Sequence, residues 1–158
     1  LLVAVLRPLP DPIAVPILAH GLVAIDGRNG VLMFEVARRV RASADVVPVL
    51  SSLPSAELVA ALTALHDFLT ATEVFPLRDR VLAALGDAEV ISCWLWATGR
   101  MRASEGSSAL QLALGQAVAR RGHDPRTDLA SLASGDEWER ALASWLLERL
   151  DPGRMSVG

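Results

Sequence analysis

The sequence predicts an all-α domain, an irregular bundle or short helical array of about seven or eight helices spanning residues 1–158. Three features carry that reading. Leu58, Leu62, Leu65 and Leu69 recur at helical spacing, with Ala61 and Phe68 widening the stripe and Thr63, Asp67 and Thr70 opposite. Helix punctuation recurs along the chain, at Asp11-Pro12, Arg120-Arg121-Gly122 and Ser134-Gly135-Asp136-Glu137. Between these signals Ala and Leu dominate, and both are strong helix formers.

Taken in order, residues 1–10 form an apolar run that ends at Arg7-Pro8-Leu9-Pro10. Asp11 as N-cap, with Pro12 at the first helical position where its missing N–H costs nothing, starts a helix to about Ala24. Asp26-Gly27-Arg28-Asn29-Gly30 is a turn. A helix from Val31 to Ala42 then sets Leu32, Val36, Ala37 and Val40 against Val31, Phe34 or Glu35, Arg38 and Arg41. Arg38, Arg39 and Arg41 occupy its last turn, where cations complement the helix dipole. Residues 45–50 fit a short helix or a buried strand. Ser55 is expected to cap a helix over 56–72, Pro76 to separate it from one over 77–85, and Gly86 to stop that one.

Asp87 opens the next segment, which reads Asp87-Ala88-Glu89-Val90-Ile91-Ser92-Cys93-Trp94-Leu95-Trp96-Ala97-Thr98. At about 100° per residue Ile91, Trp94, Leu95 and Thr98 share one face while Cys93 and Trp96 point elsewhere, so no side is clearly polar. A helix apolar all round needs cover all round. This segment is therefore expected to be the central element, or half of an interface with another chain. Residues 101–108 are small and polar, a loop and the one internal boundary expected. Helices over 109–121, 124–133 and from Ser134 to Leu150 complete the chain. A capping box between Ser134 and Glu137 begins the last of them, which carries Trp138, Leu142, Trp145, Leu146 and Leu150 on one face. Asp151-Pro152-Gly153 ends it, with loose residues beyond.

Leu9-Pro10 and Asp11 to Ala19 overlay Leu53-Pro54 and Ser55 to Thr63 at a shift of 44 residues, and the same shift brings Ala44-Asp45-Val46-Val47 onto Ala88-Glu89-Val90-Ile91. Together with the phrases 11–18 and 77–87, this spacing resembles HEAT and armadillo helical repeats over about half the chain. The resemblance implies a short HEAT-like array. The competing fold is α/β, with residues 1–6, 22–25, 46–50 and 90–96 as buried parallel strands.

The chain is 52% apolar, yet no run of about 18 uninterrupted apolar residues exists, and Pro12 to Ile25 is broken by Pro16, His20 and Gly21. No membrane insertion is expected. The N-terminal apolar run lacks a basic leader, and the single Cys93 suits a reducing compartment, so the expected location is the cytoplasm. Numbering from Leu rather than Met leaves room for residues before Leu1. All 15 basic residues are Arg, but against 18 acidic residues they leave a net charge of −3, which argues against a nucleic-acid partner.

Reactive chemistry finds little foothold. Val23 to Gly30 resembles the strand and first half of a P-loop, as in small nucleoside kinases, but Leu32, Met33 and Phe34 stand where the second glycine, the lysine and the hydroxyl would be. His20, His66 and His123 lie far apart and Cys93 has no partner cysteine, so no metal site is expected. Cys93 sits among apolar residues that raise a thiol pKa, and no nucleophile elbow is present. Asp136, Glu137 and Glu139 cluster at a helix start, where they compensate the dipole.

The aromatic area lies mostly in Trp94, Trp96, Trp138 and Trp145, expected either to pack together as a C-terminal core or to give one member, Trp96 first, to a partner surface. The function expected is a non-catalytic protein–protein interaction or scaffolding module, with no cofactor, that binds a protein partner or itself through residues 88–98. The alternative is a small-molecule-binding protein or small enzyme whose apolar pocket that helix lines.

Overall fold

The computed structural model describes residues 2–24, 29–100 and 105–150, and its secondary structure is entirely helical, with no strand among those residues. The chain forms two compact units, Leu1–Ala84 and Leu85–Gly158. The first unit contains α1 (Leu2–Leu6), α2 (Asp11–Ala24), α3 (Gly30–Ala42), α4 (Val47–Ser51), α5 (Ser55–Phe68) and α6 (Ala71–Ala84). The second contains α7 (Asp87–Arg100), α8 (Glu105–Arg120), a 3-10 turn (Pro125–Leu129), α9 (Ala130–Ala133) and α10 (Glu137–Arg149). Where they are described, the four runs with strand potential are helical, except that Val46 is the N-cap of α4. Each buries one helical stripe rather than two sheet faces.

The first unit is internally repeated. α2 and α5 have the same length, and their bounds coincide at the shift of 44, since 11–24 becomes 55–68. Each follows a five-residue helix, α1 or α4, and each precedes a longer one, α3 or α6. The packing repeats too: α1 lies on α3 as α4 lies on α6, and α2 lies on α3 as α5 lies on α6. The two triplets join where α5 packs against both α2 and α3. The repeat stops there, because Ala88 to Ile91 belong to the long α7 and not to a short helix like α4.

Asp11 and His20 are the only polar side chains among the fourteen residues of α2. Ala14, Val15, Leu18, Ala19 and Leu22 are buried, while Ile13 is 50% and Ile17 41% exposed. The helix without a polar side, expected at 88–98, is therefore α2.

Several helix ends differ from expectation, each for a local reason. α2 starts one residue early, with Ile13 and Ala14 donating to the carbonyl of Pro10, because Asp11 is engaged by Arg39. α5 begins at Ser55 with Pro54 before it, and it stops at Phe68. The Thr70 N–H and hydroxyl both bind the Glu73 carboxylate, at 3.0 and 2.9 Å, and launch α6. That cap overrides Pro76, which lies inside α6 and leaves one helical bond unmade. Gly86 is no left-handed stop; its carbonyl accepts from Val90 at the start of α7. Gly122 does have positive φ (89°) and closes α8 in a Schellman turn, with Gly122 donating to Ala119 and His123 to Val118. α10 is capped by Asp136, which accepts from the Glu139 N–H at 2.8 Å, because Ser134 already ends α9. Of the expected 101–108 loop, residues 105–108 form the first turn of α8 and 101–104 lie outside the described residues, as do 25–28 and the stop at 151–153.

The Arg cluster of α3 is more than dipole compensation. Arg39 is 6% exposed and donates to the carbonyls of Leu6, Arg7 and Leu9 and to Asp11, so one guanidinium serves the end of α1 and the start of α2. Glu35, 1% exposed, lies 3.5 Å from Arg39 Nε. Its hydrogen bond from Arg38 holds the carboxyl below the usual carboxylate range against the opposing effect of burial. Removing the guanidinium takes a donor from Asp11 and from the carbonyls of Leu6, Arg7 and Leu9, and a buried cation from beside Glu35, which keeps only Arg38 and Arg7. Arg39→Ala is expected to cost about 3 kcal/mol or more in urea denaturation, with Arg39→Lys recovering little of it. A loss within experimental error would show that water replaces the guanidinium there.

Candidate functional site

In the second unit α7 is amphipathic by position. Val90, Cys93, Trp94, Ala97 and Thr98 are buried, at i, i+3, i+4, i+7 and i+8, whereas Ser92 and Gly99 are exposed and Leu95 is 47% exposed. The expectation that residues 88–98 are covered on every side is thereby corrected. The buried stripe runs through Cys93 and Trp94 rather than through Leu95.

The four tryptophans do not form one cluster. Trp94 is fully buried, Trp96 and Trp145 are half-buried, and Trp138 is 72% exposed at the start of α10. The Arg149 guanidinium lies over the Trp145 ring at 4.3 Å. The inward stripe of α10 is Leu142, Ala143, Leu146 and Leu150, so the expected face loses Trp138 at its N-terminal end. Trp94 packs instead where α7, α8 and Leu150 converge over Gly115. A Cβ on Gly115 would lie 2.8 Å from the Leu150 side chain and 3.3 Å from Trp94, so a larger residue there would have to displace Leu150.

A buried indole N–H requires an acceptor, and Trp94 finds it in Asp128 of the 3-10 turn, at 2.9 Å. His123 Nε2 lies 2.6 Å from the same oxygen; a carboxylate oxygen accepts, so that nitrogen is the donor. One carboxylate thus pins α7, the end of α8 and the 3-10 turn. Gln111, fully buried on α8, donates to the carbonyl of Ala97 in the last turn of α7. Sequence reasoning missed Asp128 and Gln111, because their partners are 34 and 14 residues away.

Chemically, an Asp–His pair can orient an imidazole, but its oxygen is shared with a core indole, which makes it a fastener first. Among the described residues no cluster of His, Cys, Asp and Glu suits a metal ion. Cys93 is buried, 1% exposed. Among the described residues no helix is long and apolar enough to cross a membrane.

In the first unit, surface apolar groups collect on the helices. Val31 (65% exposed) and Phe34 (53%) lie on the outer side of α3, and Phe34 meets Phe68 of α5 edge to face at 6.1 Å. Leu32 and Met33, at the absent P-loop positions, are buried. His66 of α5 is half-buried beside Phe75, ring centres 5.9 Å apart, with a buried Nε2 that has no hydrogen-bond partner.

No family model, curated protein or solved structure matches this chain.

Two outcomes test the groups just described. Asp128→Ala strands the Trp94 N–H in the core and is expected to destabilise the protein by about 1–3 kcal/mol, whereas Trp94→Phe with Asp128→Ala costs less than the sum of the two. Strict additivity in denaturant titrations would sever the link. Burial, and then the charge of Arg78, push the His66 pKa down to about 4 from 6.5. The unfolded chain therefore binds the extra proton. The stability owed to neutral His66 is whole above pH 6.5 and declines as pH falls towards 4. His66→Leu is expected to flatten the denaturation midpoint across that window, and an unchanged slope would remove His66 from the account.

Proposed function

We propose that this protein is a non-catalytic protein–protein interaction or scaffolding module, with the apolar side chains left at the surface of its helices as the contact groups. The observation that carries this reading is the exposure of Ile13, Ile17, Val31 and Phe34 on one unit and Trp138 on the other. Isolated surface leucines need no explanation, but Ile13 and Ile17 lie one turn apart on a helix without a polar side, and Val31 and Phe34 are likewise neighbours. Trp138 is supported by its chemistry, since a single tryptophan supplies large contact area at little entropic cost. The reading includes a cytoplasmic setting and no nucleic-acid partner, supported by the one cysteine and the net charge of −3. The buried face of α7 supports packing of its own unit, so contact through residues 88–98 is reduced to Leu95 and the edges of Ile91 and Trp96.

Affinity purification of the tagged full chain from its native host tests the module. Wild type is expected to retain a stoichiometric partner, and Phe34→Ala or Trp138→Ala to retain at least about tenfold less, as loss of one hot-spot side chain does. Equal recovery by wild type and both variants would refute the reading.

A further inference from the structure

We propose that the exposed stripe of α3, formed by Val31, Phe34, Arg38 and Arg41, receives an acidic amphipathic helix of a partner protein, with the apolar side chains of that helix on Val31 and Phe34 and its carboxylates on the two guanidiniums. The inference rests on the interaction reading above and names the chemistry of the partner for one of its surfaces.

The first support is the composition of the stripe. Its four residues are all exposed and recur at i, i+3, i+7 and i+10, so they lie in one row about 15 Å long. Phe68 of α5 widens the apolar end beside Phe34. Aromatic groups and guanidiniums are what interfaces concentrate, and the charged half of the row is solvated between encounters. The second support is the way the arginines are held. Arg38 Nε and Nη2 donate to the buried Glu35, and Arg41 Nε and Nη2 donate to Glu73 at 2.9 and 3.0 Å. Among the described residues neither Nη1 has a hydrogen-bond partner, so each guanidinium is fixed along one edge and open at the other. A buried carboxylate adds little net stability even when paired, and Arg38 serves no backbone group as Arg39 does. What Glu35 supplies is a pre-oriented cation at the surface, which reduces the entropy lost when a second carboxylate binds.

The third support is sign. Arg7, Arg38, Arg39 and Arg41 stand against Asp11, Glu35 and Glu73, an excess of positive charge on a chain whose net charge is −3. α3 exposes no carboxylate, whereas α5, α6, α7 and α10 expose Asp67, Asp79, Asp87 and Glu137. The excess is a single charge, too small to hold a nucleic-acid backbone and enough to draw and orient a short segment that bears carboxylates.

A library of helical peptides of about 15 residues, displayed on phage and selected against the full chain, tests the assignment. Enriched sequences are expected to place Asp or Glu one to two turns from an aliphatic or aromatic anchor. Changing the carboxylates of the best synthetic peptide to amides is expected to weaken its binding to wild type about tenfold, and to the Arg38→Gln, Arg41→Gln double variant less than about twofold. Circular dichroism is expected to show that variant folded, and the peptide-side change carries no folding burden at all. Phe34→Ala is expected to weaken the peptide about tenfold, and Arg126→Gln, in the other unit, to leave it unchanged. Enrichment without acidic residues, or an amide peptide that loses as much on the double variant as on wild type, overturns the assignment. So does single-stranded DNA that binds wild type and displaces the peptide. A selection that yields no binder, alongside a host partner retained through Phe34 or Trp138, overturns the acidic helix and leaves the interaction reading standing. If neither a peptide nor a host partner is retained, both fall.

Discussion

A helix of fourteen residues with two polar side chains cannot be left at a surface on its own, and that constraint organises the first unit. α3, α4 and α5 all pack against α2, and its inward residues Ala14, Val15, Leu18, Ala19 and Leu22 are each fully buried. At about 25 cal/mol per Å² of apolar area this burial is the main force gathering the triplets, tempered by the entropy of ordering them. Two prolines modulate it: Pro16 in α2 and Pro76 in α6 each forgo a helical bond at the sixth position. The helices survive because side-chain packing, rather than intrinsic propensity, holds them.

Short helices create a different demand. A helix of five residues makes almost no internal bonds, so its terminal groups need partners from elsewhere. In α1 they come from Arg39, and in the second unit the same logic recurs at longer helices. Gln111 serves the end of α7, and Arg121 reaches the carbonyl of Leu85 and the carboxylate of Asp87 ahead of it. These long side chains reach across sequence to where the backbone is unsatisfied. The cost is desolvation, visible at Gln111 Oε1, which is buried with no hydrogen-bond partner. Glu73 shows the solvated counterpart: the Arg41 hydrogen bond, followed by those of Thr70, lowers its carboxyl to about 2 in an exposed setting.

What was legible in the sequence was whatever local chemistry decides. The helical class, the Leu58–Leu62–Leu65–Leu69 stripe and the glycine stop at Gly122 are all encoded within a turn or two of where they act. The 44-residue shift between α2 and α5 was legible too, because repeated packing demands repeated spacing. Ends decided by competition were not. Pro76 reads as a break until Thr70 and Glu73 are seen to cap ahead of it, and Ser134 reads as a cap until α9 is seen to claim it. For the candidate contact groups the failure was one of averaging. Residues 88–98 include three polar residues, Glu89, Ser92 and Thr98, and α2 includes two, so neither shows a polar side on paper, and only the neighbours decide which face is buried. Trp94 and Trp138 are likewise the same residue type in the same periodic pattern, yet one is sealed beneath Leu150 and the other faces water.

The two triplets also differ in polarity in a direction that water alone does not explain. Equivalent positions of the two helices are unlike in polarity. Ile13, half exposed on α2, corresponds to Glu57, which is partly buried on α5 and bound to His20, and exposed Ile17 corresponds to buried Ala61. Alanine at 61 and 64 lets neighbouring backbones approach closely, which accounts for small residues where cover exists. It does not account for isoleucine where cover is missing. Solvent exposure would favour a polar group at positions 13 and 17, and a branched aliphatic stands at both. The two triplets therefore share their spacing and their packing but not the polarity of this stripe.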